Sequence, residues 1–110
     1  MVYNVFRWSA IPEKLAEHDA AIAALAAHCK ADHPLIKAVK SWKVSFGSDA
    51  PRPGRIWVEV FDSLAAFEEH GKEHSPACDA VWAPIYATTV PGTTTTSVWS
   101  PNQPDAWFER

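Results

Sequence analysis

The chain has 110 residues, which is enough for one domain with a single hydrophobic core. It is 47% hydrophobic and 21% charged with a formal net charge of −3, so it has no cationic surplus for binding nucleic acid or an anionic membrane surface. Cys29 and Cys78 lack C-x-x-C spacing, which argues against a disulfide framework or a cysteine-based zinc site and predicts reduced thiols in the cytoplasm. The longest apolar run, residues 20–27, is too short to cross a bilayer, and the first residues lack a signal-peptide pattern.

The N-terminal third of the sequence predicts a strand followed by a helix. Residues 2–8 are rich in β-branched and aromatic side chains, which favour a strand. A helix is predicted from Ile11 to about Ala31, because apolar side chains recur at steps of three and four and Pro34 follows. The apolar stripe of this helix consists of Ile11, Leu15, His18, Ile22, Leu25 and Cys29. His18 is therefore predicted to face the sheet.

The rest of the sequence predicts three more strands and two more helices. In order, these are a strand over 37–46, a turn-rich loop over 47–54, a strand over 56–61, a helix over 63–72, a short helix over 75–82 and a strand over 86–99. Ser75-Pro76 carries the cap and first-turn signal of the short helix. Pro91-Gly92 predicts a break in the last strand.

The order β-α-β-β-α-β predicts an α+β protein with the ferredoxin-like arrangement. Residues 1–100 are predicted to form a single domain, and residues 101–110 a C-terminal tail that docks on it. The helices of such a fold cover one face of the sheet, yet the predicted strands are apolar on both sides. Six Trp and five Phe are also a large number of rings for one small core to bury. We therefore expect an aromatic pocket and a homodimer in which sheet packs on sheet.

A local phrase adds a family resemblance to this element order. A strand ends in Phe61-Asp62-Ser63, a helix with Phe67 follows, and then comes His74-Ser75-Pro76. The chain resembles the dimeric α+β barrel superfamily, whose members include antibiotic-biosynthesis monooxygenases, a plant polyketide cyclase, muconolactone isomerase, heme-degrading monooxygenases and NIPSNAP-like proteins. The resemblance in element order covers nearly the whole chain, whereas the phrase is typical of the fold more than of one reaction.

The resemblance implies chemistry without a metal or cofactor on a small enolisable aromatic or polyketide-like substrate. In the cyclases, a tyrosine and a histidine near the end of the second helix form the acid/base pair; here His70 stands about where the tyrosine would, and His74 near the histidine. Heme-degrading members use an asparagine on the first strand with a tryptophan and a histidine on the second helix. Asn4 matches the asparagine, but His70 stands near the tryptophan position, which disfavours heme degradation.

His70 and His74 are four residues apart and therefore project from one face of a helix. Periodicity favours His74 over His70 for a pocket role, and Gly71 leaves space beside them; the alternative is a frayed helix end with solvated histidines. Together with Glu73 they match H-x-x-E-H, but the internal glycine and the small domain argue against a metallopeptidase. A two-histidine metal site with Glu73 or Glu69 stays open as a weaker alternative.

His18 is predicted either as a core histidine held by a hydrogen bond or as a general base in a pocket between helix and sheet. His28 and His33 lie off the apolar stripe and are predicted to contact the helix end or solvent. A charged residue on a buried strand needs a partner, so Glu59 is predicted to pair with Arg7 or Lys43.

The predicted site combines these groups. His74, His18 and His70 are the candidate proton-transfer residues. The candidate substrate-binding residues are Asn4, Arg7, Trp42, Trp57 and Tyr86, although core packing explains the aromatic ones equally well. Asn4 or Arg7 would stabilise an oxyanion. We expect an enzyme of monooxygenase, cyclase, isomerase or lyase type; the alternative is a non-catalytic small-molecule-binding or structural homodimer.

Overall fold

The computed structural model of the protein describes residues 1–44, 53–73 and 75–101. Its elements are β1 (Val2–Ser9), a 3-10 turn (Pro12–Lys14), α1 (Leu15–Asp32), β2 (Ala38–Lys43), β3 (Gly54–Phe61), α2 (Leu64–His70), α3 (Pro76–Ala87) and β4 (Thr95–Trp99). The four strands form one antiparallel sheet in the order β2-β3-β1-β4. The predicted ferredoxin-like α+β fold is confirmed, with the second helix divided into α2 and α3. The division into residues 1–100 and a docking tail stays a prediction, because residues 102–110 lie outside the described part.

The main core lies between the sheet and the two longer helices. Its buried members are Trp8 of β1, Trp57 of β3, Ala21, Leu25 and Cys29 of α1, and Ile85 of α3. The stripe predicted for α1 contributes Leu25 and Cys29 to this core, and His18 on the same stripe is also fully buried. Periodicity alone therefore identified the face of α1 that packs on the sheet.

The other face of the sheet has no helix against it among the described elements. Alternation along the strands places Val5, Val58 and Val60 there, packed with Tyr3 and Ile56. Trp99 of β4 lies on this face with 57% of its surface exposed. The prediction that the strands are apolar on both sides is confirmed for β1 and β3.

The second helical region differs most from the sequence prediction. Ser63 caps α2 and Ser75 caps α3, each accepting a hydrogen bond from the backbone three residues on, as expected for serine at an N-cap. However, α3 continues through Pro84 to Ala87 instead of ending near residue 82. The strand prediction for residues 86–94 was therefore wrong, and Tyr86 is a helical residue. A proline inside a helix removes one backbone hydrogen bond and crowds the carbonyl four residues earlier, but α3 continues past Pro84 and places Ile85 in the core.

No helix in the described ranges is both long enough and apolar enough to span a bilayer.

Candidate active site

A groove separates α1 from the edge strand β2 and contains the candidate active site. One section, of about 390 Å³, is lined by Asp19, Ile22, Ala23, Ala26, Val39, Ser41, Trp42, Lys43, Arg55 and Trp57. A second section, of about 490 Å³, extends towards the C-terminal end of α1 and is lined by Ala26, Cys29, Lys30, His33, Pro34, Ile36, Lys37, Ala38 and Val39. Both sections include Ala26 and Val39, so they adjoin. We refer to them together as the α1–β2 groove.

Arg55 is the cation in this groove with the clearest capacity to bind an anion. It is 7% exposed, its Nη1 donates to the Gly54 carbonyl oxygen at 3.0 Å, and its Nη2 lies 3.7 Å from Asp19 Oδ1. Its Nε is buried and has no hydrogen-bond partner among the described residues. A buried donor without a partner is costly in free energy, so a ligand oxygen that reached it would gain a strong, charge-assisted hydrogen bond. Sequence reasoning missed Arg55, although its alternation with Trp57 along β3 was a usable signal.

Glu59 is held inside the protein by hydrogen bonds and not by the predicted ion pair. The Asn4 amide donates to Glu59 Oε1 at 3.2 Å, and the Trp57 indole donates to Oε2 at 3.1 Å. The predicted pairing with Arg7 was wrong, because Arg7 lies opposite Ile56 and points to the other face of the sheet. The alternative pairing with Lys43 was also wrong, since that ammonium group lies 3.8 Å from Asp19. Asn4 thus positions a buried carboxylate.

His18 is fully buried and both of its ring nitrogens have partners. Trp8 Nε1 donates to His18 Nε2 at 2.9 Å, which places the proton of the neutral ring on Nδ1. Nδ1 then donates to the Thr88 hydroxyl at 2.7 Å, and that hydroxyl donates to the Pro84 carbonyl oxygen at 2.8 Å. Burial, with a smaller contribution from the positive charge of Arg55, lowers the pKa of His18 below 6.5. The ring is therefore neutral at pH 7 and lies within the core, away from the walls of the α1–β2 groove.

One interpretation of the sequence was that His70 is solvated at a frayed helix end. Instead, its ring is largely enclosed by other side chains. Its ring packs against Phe61 at 5.2 Å and edge-on to His33 at 5.1 Å between centroids. His33 was predicted to contact the helix end or solvent. It caps the C-terminal end of α1 and contacts His28 there, but it is buried, away from solvent, and also contacts Glu73. His74 lies outside the described residues, so its proposed role stays a prediction.

The predicted aromatic group does not form one pocket. Trp57 is fully buried in the core, and Trp42 is half exposed at the edge of the sheet. Both line the α1–β2 groove, and Trp42 also lines the concavity on the helix-free face. Tyr86 is 64% exposed on α3 and stacks on Trp82 at 5.8 Å between centroids. Arg7 is exposed on the helix-free face of the sheet, where it lines a concavity of about 400 Å³ with Tyr3 and other side chains.

The two cysteines are poorly suited to nucleophilic chemistry. Burial and the nearby Glu59 carboxylate raise the pKa of Cys29 to about 12. Burial, followed by the charge of Asp79, also raises the pKa of Cys78. Because the thiolate is the reactive form of cysteine, both side chains remain largely unreactive thiols at neutral pH.

Comparison with known proteins identifies the fold. No family model matches the sequence, and no curated protein matches it. Among solved structures, SnoaB from Streptomyces nogalater, a cofactor-independent oxygenase, is 16% identical over 93% of each chain with a TM-score of 0.70. A candidate antibiotic biosynthesis monooxygenase from Caulobacter crescentus CB15 is 21% identical over 89% of this chain and 86% of its own, with a TM-score of 0.67.

A third similar structure is a dimeric ferredoxin-like protein of unknown function from Jannaschia sp. CCS1. It is 14% identical over 90% of this chain and 97% of its own, with a TM-score of 0.68. At these identities the likeness establishes the fold and not the reaction. The chain therefore has the fold of the dimeric α+β barrel proteins that resemble antibiotic biosynthesis monooxygenases.

Proposed function

We propose that this protein is a cofactor-independent oxygenase-type enzyme that acts on a small enolisable aromatic molecule bound in the α1–β2 groove. The observation that carries the proposal is Arg55, a buried guanidinium with an unpartnered Nε in a groove whose walls include Trp57 and Trp42. Aromatic walls with a few charged groups, here the cations Arg55 and Lys43 beside the carboxylate Asp19, suit a flat molecule that becomes an anion. The shared fold with SnoaB, a cofactor-independent oxygenase, supports this reaction class by analogy.

In the proposed reaction, Arg55 binds the oxygen that becomes negatively charged when the substrate loses a proton. Asp19 is the carboxylate among the described groove residues and lies 3.7 Å from Arg55, so it is placed to accept that proton. The resulting carbanion reacts directly with dioxygen, which accepts its electrons and forms a carbon–oxygen bond. The peroxide anion takes up the proton held by Asp19, and the hydroperoxide then loses water to leave a ketone. The Asp19 base differs from the histidine base predicted from the sequence, because neither His18 nor His70 is among the residues that line the groove. Arg7 does not line the groove either, so Arg55 takes its place as the oxyanion-binding group in this proposal.

Arg55→Gln should lower kcat/KM by roughly 100-fold, because it removes a charged donor to the developing oxyanion. The measurement is oxygen uptake with hydroxylated naphthalenes and anthrones as probes, without added flavin and with a chelator present. Arg7→Gln is the matched control, since it removes the same charge from the other face of the sheet. Loss of activity in Arg7→Gln with Arg55→Gln unaffected would locate the substrate on the helix-free face of the sheet and contradict the proposal.

The second candidate is a small-molecule-binding dimer without turnover. It is favoured by the full set of hydrogen bonds on His18, which leaves that ring no free nitrogen for proton transfer. The same probes separate the two functions. If the dimer only binds, the aromatic probe should quench the protein's tryptophan fluorescence on titration, while oxygen uptake stays at the uncatalysed rate.

The helix-free face of the sheet is the proposed contact between two copies of the chain. It holds the buried Val5, Val58 and Val60 and carries the half-exposed Trp99 at its edge, with Arg7 and Lys40 lining the same concavity. Monomeric proteins rarely leave such a face open, and a similar structure is a dimeric ferredoxin-like protein. We therefore include a sheet-on-sheet homodimer in the proposed function.

Trp99→Glu should weaken this dimer by about 2 kcal/mol or more, roughly a 30-fold rise in the dissociation constant, because it places a charge in an apolar contact. Sedimentation velocity over a dilution series measures the change. Tyr86→Glu is the control, since Tyr86 is similarly exposed but lies on α3, on the opposite side of the sheet. Equal dissociation of both variants, or a wild-type protein that is monomeric at all concentrations, would contradict the proposed interface.

A further inference from the structure

Four side chains at the C-terminal end of α1 and the loop after α2 form a connected row. Asp32 Oδ2 lies 2.9 Å from His28 Nδ1, His28 Nε2 lies 3.1 Å from His33 Nε2, and His33 Nδ1 lies 2.9 Å from Glu73 Oε2. The row joins parts of the chain that are 41 residues apart in sequence, from Asp32 to Glu73. It lies at the end of the α1–β2 groove that His33 lines, away from Arg55 and Asp19.

The row requires one more positive charge than its neutral groups supply. An ionised carboxylate can only accept, so each of the two terminal contacts needs a hydrogen on a histidine Nδ1. The central contact between the two Nε2 atoms needs a third hydrogen. Two neutral imidazoles carry only two ring hydrogens, one on each of His28 and His33. When the first two contacts are satisfied, His33 Nδ1 directs a lone pair at a Glu73 oxygen 2.9 Å away, which is repulsive unless a proton or a metal ion stands between them.

His70 provides a second, independent observation. Its Nδ1 is buried, has no hydrogen-bond partner among the described residues, and lies 3.7 Å from the same Glu73 Oε2. A buried ring nitrogen without a partner is destabilising and calls for an explanation. The ligand atoms of His33, His70 and Glu73 all lie within 4.8 Å of one another.

We propose that His33, His70 and Glu73 bind a divalent transition-metal ion of the zinc class. In tetrahedral zinc sites the ligand atoms lie about 2.0–2.2 Å from the metal and so about 3.3 Å from one another, and the contacts of 2.9 and 3.7 Å to Glu73 lie on either side of that spacing. The metal supplies the missing positive charge and gives His70 Nδ1 a partner. Two imidazoles with one carboxylate select zinc, cobalt, nickel or copper over calcium and magnesium, which prefer oxygen ligands.

The rest of the row then orients the metal ligand His33. With its Nδ1 on the metal, His33 donates its Nε2 hydrogen to His28, and His28 donates its Nδ1 hydrogen to Asp32. In a metal-binding histidine, the ring nitrogen that does not bind the metal commonly donates its hydrogen to a neighbouring group such as a carboxylate, which fixes the orientation of the ring. Three protein ligands leave the fourth tetrahedral position for water or a small ligand. The sequence left a two-histidine site with Glu73 or Glu69 open as a weaker alternative, but it did not include His33, which is distant from Glu73 along the chain.

The test measures metal binding by the whole protein and does not depend on the proposed oxygenase activity. Chelator-treated protein is titrated with Zn²⁺ by calorimetry, and we expect one ion per chain. Glu73→Gln and His70→Ala should each weaken binding by roughly 100-fold or more. Loss of a residue that only hydrogen-bonds to a metal ligand already costs about 10- to 100-fold. Glu69→Gln, which removes a nearby exposed carboxylate bonded to Lys72, is the matched control and should leave binding unchanged.

Cys78 distinguishes this site from an alternative set formed by His28, His33 and Cys78. Cys78→Ser should leave Zn²⁺ binding unchanged, and Co²⁺ should give visible bands of a four-coordinate ion without a thiolate charge-transfer band. Glu73 is partly exposed, so Glu73→Gln keeps the test valid if a histidine variant fails to fold. Absence of Zn²⁺ binding to the folded wild type, or loss of binding in Cys78→Ser with Glu73→Gln unaffected, would overturn the proposal.

Discussion

Trp57→Ala should lower the free energy of unfolding by about 3–5 kcal/mol, one of the largest effects of any single substitution in this chain. The Trp57 side chain is completely buried at the centre of the sheet-and-helix core. Its ring lies edge-on to Trp82 at 6.5 Å between centroids, so its removal also leaves a neighbouring ring without its contact. The cavity left behind adds to the lost burial of apolar surface, because a β-sheet and two helices cannot collapse fully into it.

Trp57→Phe separates packing from hydrogen bonding at this position. Phenylalanine keeps most of the apolar volume but loses the indole donor to Glu59 Oε2, leaving the Asn4 amide as the side-chain donor described for that carboxylate. We expect a cost of about 1–3 kcal/mol, as is usual when a buried charged acceptor loses a donor. Urea unfolding followed by circular dichroism measures both variants, with Tyr86→Ala as an exposed aromatic control expected to cost under about 1 kcal/mol. A Trp57→Ala variant as stable as Tyr86→Ala would contradict this account of the core.

Local sequence patterns predicted most of the fold because each element carries its own signal. The stripe on α1 placed His18, Leu25 and Cys29 on the buried face, and alternation separated Asn4 from Arg7 on β1. These signals depend on helix and strand geometry, which the chain expresses locally. The end of α3 could not be predicted in the same way, since a proline within the helix and a following run of threonines both favour a break there.

The candidate site was harder to predict because it depends on which faces meet. Alternation shows that Asn4 and Arg7 lie on opposite faces, but only the pairing of Asn4 with Glu59 and the position of the helices show which face encloses a groove. Arg55 was overlooked because it stands beside a turn-rich segment and not inside the predicted strand. The contact of His33 with Glu73 arises where the ends of α1 and α2 meet, and no local pattern encodes that meeting.

His18→Ala should lower the free energy of unfolding at pH 8 by about 3 kcal/mol, because it leaves a cavity between β1, α1 and α3. It also leaves the Trp8 indole N–H without its acceptor. Thr88 keeps its hydrogen bond to Pro84 and contributes less to the loss. Chemical denaturation at fixed pH measures the difference. A loss under about 1 kcal/mol would show that the ring is not a structural part of the core.

The stability difference between the wild type and His18→Ala should also shrink as the pH falls. The pKa of His18 is lowered in the folded protein, first by burial and then by Arg55, whereas in the unfolded chain it stays near 6.5. Below pH 6.5 the unfolded wild type therefore binds a proton that the folded protein does not. The free energy of unfolding consequently decreases as the pH decreases. The slope approaches about 1.4 kcal/mol per pH unit until the folded pKa is reached. In His18→Ala, neither the folded nor the unfolded state has this imidazole to protonate. Every other ionisable group is present in both proteins, so its contribution cancels in the comparison. A difference that stays constant or grows between about pH 6.5 and 5 would mean that folded His18 is charged, and the neutral Trp8–His18–Thr88 chain of hydrogen bonds would then be wrong.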